Sequence, residues 1–173
     1  MSRIGLVIFD CDGVLVDSEA ISVEILRSFI REAGGSVSEE VAYRRFLGRS
    51  VAAVSDILAS DFGVAMTDDH LDRMRAEVQT RFARELLPVP GVRSMLEALP
   101  LPRCVASSGS PDRILLSLTV TGLLGLLAPH LFSAAMVENG KPAPALSLHA
   151  ARVRGVAPHR CMGVEDSPAG IQA

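Results

Sequence analysis

Polar and apolar positions follow two different rhythms along the chain. Residues 4–9 form an apolar run with β-branched members that ends at Asp10, which predicts a strand buried on both faces, as in a parallel sheet. From Asp17 to about Leu87 the rhythm turns helical: Ile21, Ile25 and Phe29 recur at helical spacing, and Gly34-Gly35 stops that helix. Further helices are predicted over residues 38–47, 51–62 and 67–87, the last opened by Thr67 and His70 with two aspartates in its first turn. No convincing strand interrupts residues 18–87, which therefore read as a helical insertion. Pro88-Val89-Pro90-Gly91 marks a linker, after which strand and helix alternate again. Strands are predicted at 104–106, 132–137 and 161–164. Helices are predicted at 111–120, with Ser110 as cap and Pro111 in first position, and at 143–154. Ser167 caps a last helix that runs to Ala173.

This order predicts an α/β protein: a doubly wound, Rossmann-like parallel sheet built from residues 1–17 and 88–173, with an α-helical cap inserted over 18–87. Ligands of such sheets bind beyond the C-terminal ends of the strands, and every polar cluster described below lies at such an end. With 49% hydrophobic and 21% charged residues the chain can bury a core, which excludes wholesale disorder. Its net charge of −3 argues against a nucleic-acid footprint, and one Tyr, six Phe and no Trp leave no base-stacking platform. Cys11, Cys104 and Cys161 fit neither a disulfide framework nor a CxxC zinc site, so reduced thiols in a cytoplasm are expected. The apolar stretch before Asp10 is too short for a signal peptide. The uncharged residues 114–129 are too short to span a membrane and are read as buried core.

The chemistry concentrates in Asp10-Cys11-Asp12-Gly13-Val14-Leu15-Val16-Asp17-Ser18, directly after the first strand. Two carboxylates two residues apart at a strand tip create a negative well for a divalent cation, and oxygen ligands favour Mg²⁺. A calcium-binding EF-hand loop is excluded, because Val14, Leu15 and Ile21 occupy positions where it needs ligands or a turn glycine. Cys11, between the two acids, is expected to point into the core.

That segment resembles the first motif of the haloacid dehalogenase-like hydrolases. Three more of their motifs follow in order: Val105-Ala106-Ser107-Ser108-Gly109-Ser110, Lys141-Pro142-Ala143-Pro144, and Gly163-Val164-Glu165-Asp166-Ser167-Pro168-Ala169-Gly170. The resemblance implies that Asp10, ionised at neutral pH as an ordinary carboxylate is, attacks phosphorus and forms an aspartyl-phosphate. It implies Asp10 and Asp166 as side-chain ligands of Mg²⁺, Asp12 as a ligand through its backbone carbonyl, and Glu165 acting through a metal-bound water. The Asp12 carboxyl is expected to be the general acid and base, a residue that separates the phosphatases from the dehalogenases. Ser107 is expected to donate its hydroxyl to the phosphoryl oxygens, beside the amides of Ser108 and Gly109 at a helix N-terminus. Lys141 is expected to supply positive charge to phosphate and nucleophile.

The inserted helices match the lid of the subclass whose cap follows the first motif, and such lids exclude water and read the leaving group. Gly48 and Arg49 fall where relatives carry a substrate-contacting loop. Arg49 then pairs with a substrate carboxylate or hydroxyls, or is a surface residue of a helix connection. Arg44, Arg45, Arg73 and Arg75 read as a solvated helix face, and His70, His130, His149 and His159 lie outside every motif. Relatives continue beyond Gly170-Ile171-Gln172-Ala173, so the core is expected to be truncated at its C-terminus, with the sheet edge beside the last strand uncovered.

The function expected from this resemblance is a Mg²⁺-dependent phosphatase of a small phosphomonoester, a sugar or sugar-acid phosphate, most similar to the 6-phosphogluconate phosphatase-like branch. A β-phosphoglucomutase-like mutase is the first alternative, although its hinge His and cap Lys correspond to Ser22 and Leu47 here. Phosphonate hydrolysis is disfavoured because Lys141 is the sole lysine of the chain. A truncated, inactive relative is the non-enzymatic alternative, and a receiver-type signalling domain is disfavoured by the helical lid. The expected partner is a small phosphorylated substrate, with no nucleic acid and no membrane, acting on a monomer or weak homo-oligomer.

Overall fold

The computed structural model describes residues 4–46, 49 and 51–173. Four parallel strands form one sheet in the order β3-β2-β1-β4: β1 Leu6–Phe9, β2 Arg103–Ser107, β3 Leu131–Ser133 and β4 Cys161–Val164. All four residues of β1 are buried, because the sheet is covered on both sides. Alternate side chains supply two cores. Leu6 and Ile8 pack with Cys104, Ala106, Phe132 and the helix Ala145–Val153 (here α8), while Val7 and Phe9 pack with Val105 and the helices of the other face.

Four helices separate β1 from β2: α1 Glu19–Glu32, α2 Glu39–Phe46, α3 Val51–Phe62 and α4 Asp68–Glu85. Gly34 and Gly35 follow α1 as expected. Thr67 and His70 form a reciprocal cap at the start of α4: the Thr67 hydroxyl accepts from the His70 amide at 3.2 Å, and His70 Nδ1 accepts from the Thr67 amide at 3.3 Å. The insertion has its own core of Val23, Ile30, Ala42, Phe46 and Leu58. A second set, Ile25, Phe29, Met74, Val78 and Phe82, joins the sheet's core. The chain leaves and re-enters the sheet layer side by side: the Asp17 amide donates to the Leu87 carbonyl at 2.9 Å, and the Val89 amide to the Leu15 carbonyl at 3.0 Å.

Three expectations need correction. Residues 92–98, for which the sequence predicts no element, form α5 Val92–Ala98, which buries Val92 and Leu96. The strand predicted over 132–137 stops at Ser133, because the Ser133 hydroxyl accepts from the Ala135 amide at 3.2 Å and bends the chain into a single 3₁₀ turn, Ala134–Met136. The uncharged stretch at 114–129 is not uniformly buried. It divides between α6 Pro111–Val120 and the short α7 Leu124–Leu127, with Leu115 and Val120 exposed. Among the described residues no helix is long and apolar enough to cross a membrane. On the sheet's outer edge β4 pairs with β1, and Met162 and the Ile171 of α9 (Pro168–Gln172) are exposed.

Candidate active site

The parallel register gathers the motifs. Phe9 pairs with Val164, so Asp10 at the tip of β1 stands beside Glu165 and Asp166 at the tip of β4, and the Asp10 amide donates to the Val164 carbonyl at 3.0 Å. One strand over, β2 ends at Ser107, and the chain beyond β3 brings in Lys141. Lys141 Nζ lies 3.1 Å from Asp10 Oδ1 and against Glu165 Oε1, with its side chain completely buried. Carboxylate oxygens of Asp10, Glu165 and Asp166 all lie within 4.8 Å of one another.

Three carboxylates around one ammonium leave excess negative charge, and Glu165 Oε2 is buried with no hydrogen-bond partner. Hard oxygen donors and an orphaned acceptor suit Mg²⁺. Gly13 makes room for this arrangement: its φ is +74°, and a Cβ there would collide with Asp166 Oδ2. Glu165 is one of the three clustered carboxylates, a position from which a metal could be reached directly or through water. Asp12 lies outside the cluster. Its Oδ1 accepts from Ser18 Oγ at 2.6 Å and from Arg113 Nη2 at 2.9 Å, which ties its side chain to α1 and α6 rather than to the clustered carboxylates.

Burial lifts the Asp10 carboxyl to about 7, against the pull of Lys141 and with a further push from Glu165 and Asp12. Its carboxyl thus stands above the ordinary range expected from sequence, which carries no measure of desolvation. Glu19 is also raised to about 7, by burial first and then by a shared hydrogen bond with Asp166. Burial likewise drives the Cys11 thiol upward, in keeping with its expected place in the core.

Ser107 is buried, and its hydroxyl accepts from the Gly109 amide at 3.1 Å. That amide is thus engaged within the loop rather than directed outward, which revises its expected part in anion binding. Ser110 caps α6 as predicted. A cavity of about 390 Å³ opens between insertion and sheet, with Asp10, Asp12, Ser107 and Asp166 on its floor, Arg49 and Arg75 at its wall, and apolar insertion residues such as Phe46 and Met74 above. Ser108 and Gly109 line both this cavity and a neighbouring one that includes Lys141. Gly48 lies outside the described residues. Arg44, Arg45, Arg73 and Arg75 pair with Glu40, Asp61, Glu32 and Asp72 on the insertion surface, so only Arg75 of these also reaches the cavity. Ser18, Glu19 and Arg113 join the site without a role legible in the sequence. Ser18 closes the first motif and Glu19 follows it, whereas Arg113 carries no local signal beyond its place in a helix.

The raised acids give a testable pH dependence. Asp10 and Glu19 bind protons more tightly when folded, so their contribution to stability is complete below their ordinary range and is lost as pH rises toward 7. Surface Glu32 and Glu85, lowered by Arg73 and Arg81, lose their contribution only below the ordinary range, outside that window. The melting temperature of metal-free protein is expected to fall between about pH 5 and about pH 8, and millimolar Mg²⁺ to raise it more at the higher pH, where the ligands have shed their protons. Thermal unfolding with EDTA and with Mg²⁺ checks this; a Mg²⁺ effect that is larger at the lower pH contradicts it.

Comparison with known proteins agrees with this geometry. The family model of the haloacid dehalogenase-like hydrolases matches residues 4–173. A 6-phosphogluconate phosphatase of Escherichia coli K12 is 36% identical over all of this chain and 79% of its own length. A validoxylamine A 7'-phosphate phosphatase of Streptomyces hygroscopicus subsp. limoneus is 33% identical over 96% of this chain and 78% of its own. A solved structure of a haloacid dehalogenase-like protein from Agrobacterium tumefaciens superposes with a TM-score of 0.82 at 36% identity, covering 98% of this chain and 77% of that one. Four motifs converge on the tips of a parallel sheet below a helical insertion, and the family model spans both parts: the chain belongs to the haloacid dehalogenase-like hydrolase family.

Proposed function

We propose that the protein is a Mg²⁺-dependent phosphatase of small phosphomonoesters, acting on a sugar or sugar-acid phosphate such as 6-phosphogluconate through an aspartyl-phosphate. The observation that carries this reading is the meeting of Asp10, Glu165, Asp166 and the chain's only lysine at the strand tips, where Asp10 and Asp166 open onto a cavity that Asp12 also lines. The relatives named as sugar-phosphate phosphatases support the substrate class.

Asp10, Glu165 and Asp166 would hold Mg²⁺, with the Asp12 carbonyl; when bound, the ion offsets the charge of phosphate and carboxylates. Lys141 sets its ammonium 3.1 Å from Asp10 Oδ1, where it favours the anionic form of that oxygen for attack. A carboxylate oxygen of Asp10 attacks phosphorus as the bond to the leaving alkoxide breaks, and Asp12 gives that alkoxide its proton. Asp12 then takes a proton from the water that attacks the aspartyl-phosphate, and the bond from phosphorus to Asp10 breaks. Ser107 fixes the loop that faces the phosphoryl oxygens, and Ser108 and Gly109 shape its wall. The helices over 18–87 act as the cap above a core of 1–17 and 88–173. Arg49, with Gly48 beside it in sequence, receives the substrate's carboxylate or hydroxyls. Isomerisation is disfavoured because Ser22 stands where mutases use a hinge histidine. The free thiols suit a cytoplasmic protein, working as a monomer or weak homo-oligomer.

Phosphate release from purified protein across sugar phosphates, including 6-phosphogluconate and β-glucose 1-phosphate, tests the reading. Release that requires Mg²⁺ and favours the sugar acid is expected. Interconversion of β-glucose 1-phosphate and glucose 6-phosphate without release would establish the mutase instead.

A further inference from the structure

Among the described residues Arg113, in the first turn of α6, is the one basic side chain in contact with the Asp12 carboxylate, and no step above employs it. Nη2 donates to Asp12 Oδ1 at 2.9 Å and to Ser22 Oγ at 3.3 Å, and the guanidinium carbon lies 4.8 Å from the centre of the Phe82 ring. Its Nε is buried without a hydrogen-bond partner, while the side chain as a whole is a quarter exposed and borders the cavity. Asp12 belongs to the loop after β1, Ser22 to α1 and Phe82 to α4. One side chain rooted in the sheet layer therefore touches the acid/base and both long helices of the insertion.

Asp12 Oδ1 also accepts from Ser18 Oγ at 2.6 Å. Two donors on one carboxylate oxygen restrain the rotation of the side chain, and Oδ2 carries no donor among the described residues. The uncommitted oxygen is the one available to exchange a proton with a leaving group or water. General acid catalysis needs that oxygen within hydrogen-bond reach of the reacting atom, and small misplacements carry large penalties in rate.

We propose that Arg113 is the positioning residue of Asp12 and links it to the seating of the insertion: the carboxyl is held in its working orientation while α1 and α4 lie against the guanidinium. This rests on the phosphatase reading above. Charge attraction and hydrogen bonding join Arg113 to Asp12, and the face of Phe82 fixes the plane of the guanidinium. A shift of α4 would remove that face, and a shift of α1 would remove Ser22, so either motion loosens the restraint on Asp12.

The test compares Arg113→Met, which keeps the apolar stem but loses donors and charge, with wild type on two substrates in the presence of Mg²⁺. A sugar phosphate leaves as an alkoxide that needs a proton, whereas p-nitrophenol leaves without one. Turnover of the sugar phosphate is expected to fall on the order of 100-fold with KM changed only a few-fold. The pre-steady-state burst of p-nitrophenol is expected to stay within a few-fold of wild type and to lead into a slow steady state, because hydrolysis of the aspartyl-phosphate still needs Asp12. Arg113→Lys is expected to recover part of the loss, and Phe82→Leu, which keeps the charge and removes the ring, to fall between wild type and Arg113→Met.

Equal losses on both substrates, accompanied by a lowered melting temperature, would assign Arg113 a structural role and overturn the proposal. A raised KM with unchanged kcat would make it a substrate-binding residue and overturn it as well. Wild-type protein that turns over no phosphomonoester would overturn the phosphatase reading, and this proposal with it.

Discussion

Replacement of Asp10 by Asn is expected to lower turnover by at least about 10⁴-fold while leaving the fold intact. The side chain keeps its shape and its capacity to accept from the Cys11 amide, at 2.7 Å in the native site, but it can no longer attack phosphorus. The environment favours the substitution structurally. Burial already lifts the native carboxyl to about 7, so the neutral amide resembles the protonated form that the metal-free site prefers at lower pH. The variant's metal-free melting temperature is therefore expected to equal that of the native protein near pH 5 and to exceed it near pH 8. The stabilisation by Mg²⁺ should shrink, because one of the three clustered carboxylates is lost. Phosphate release and thermal unfolding, measured on the same preparation, check both halves. Turnover retained by a folded variant would remove Asp10 as nucleophile.

Replacement of Lys141 by Met is expected to cost about 10³-fold in turnover at neutral pH and to change its pH dependence. Among the described residues the ammonium is the only cationic group paired with Asp10 Oδ1, and its side chain is fully buried between Asp10 and Glu165. It is also the largest influence that lowers the Asp10 carboxyl against burial, ahead of the Cys11 amide, so without it the nucleophile is held protonated to higher pH. Residual activity should therefore climb as pH rises above neutrality, with the acidic limb of the profile displaced toward the alkaline side. Breaking a buried ion pair commonly costs about 3–5 kcal/mol. The loss here is expected to be smaller, because Asp10 can take up a proton and methionine fills the space of the lysine stem. A pH–rate profile unshifted from wild type would show that Lys141 does not set the charge of the nucleophile.

The alternation of strands and helices, the helical insertion and the capped helix starts at Thr67, Ser110 and Ser167 were legible because each depends on neighbours within a few residues. The misses share a cause. α5 has seven residues and follows a proline- and glycine-rich linker, too short for a periodicity to register over the usual window. The overlong β3 arose from apolar residues whose pattern suits a strand, while one serine hydroxyl at position 133 turned the backbone away. Of the residues gathered at the cavity and the strand tips, those within the four motifs carry a local signal, and Arg113 does not. Its sequence neighbours say only that it lies on a helix, and its partner Asp12 is 101 residues away.

By itself, the order of residues determined which groups stand at the ends of which strands: Asp10 and Asp12 after the first, Ser107 after the second, Glu165 and Asp166 after the fourth. Side-chain periodicity and turn chemistry are local, so they can be read without knowing the fold. Only the tertiary structure decided that Phe9 pairs with Val164 and so sets Asp10 beside Glu165, that the single lysine is completely buried against both, and that Arg113 and Ser18 share one oxygen of Asp12. It likewise decided the protonation of Asp10, which depends on how much water the packed sheet and insertion exclude and on charges a few ångströms away. Those quantities are set by distance in space, and chain position alone contains no measure of them.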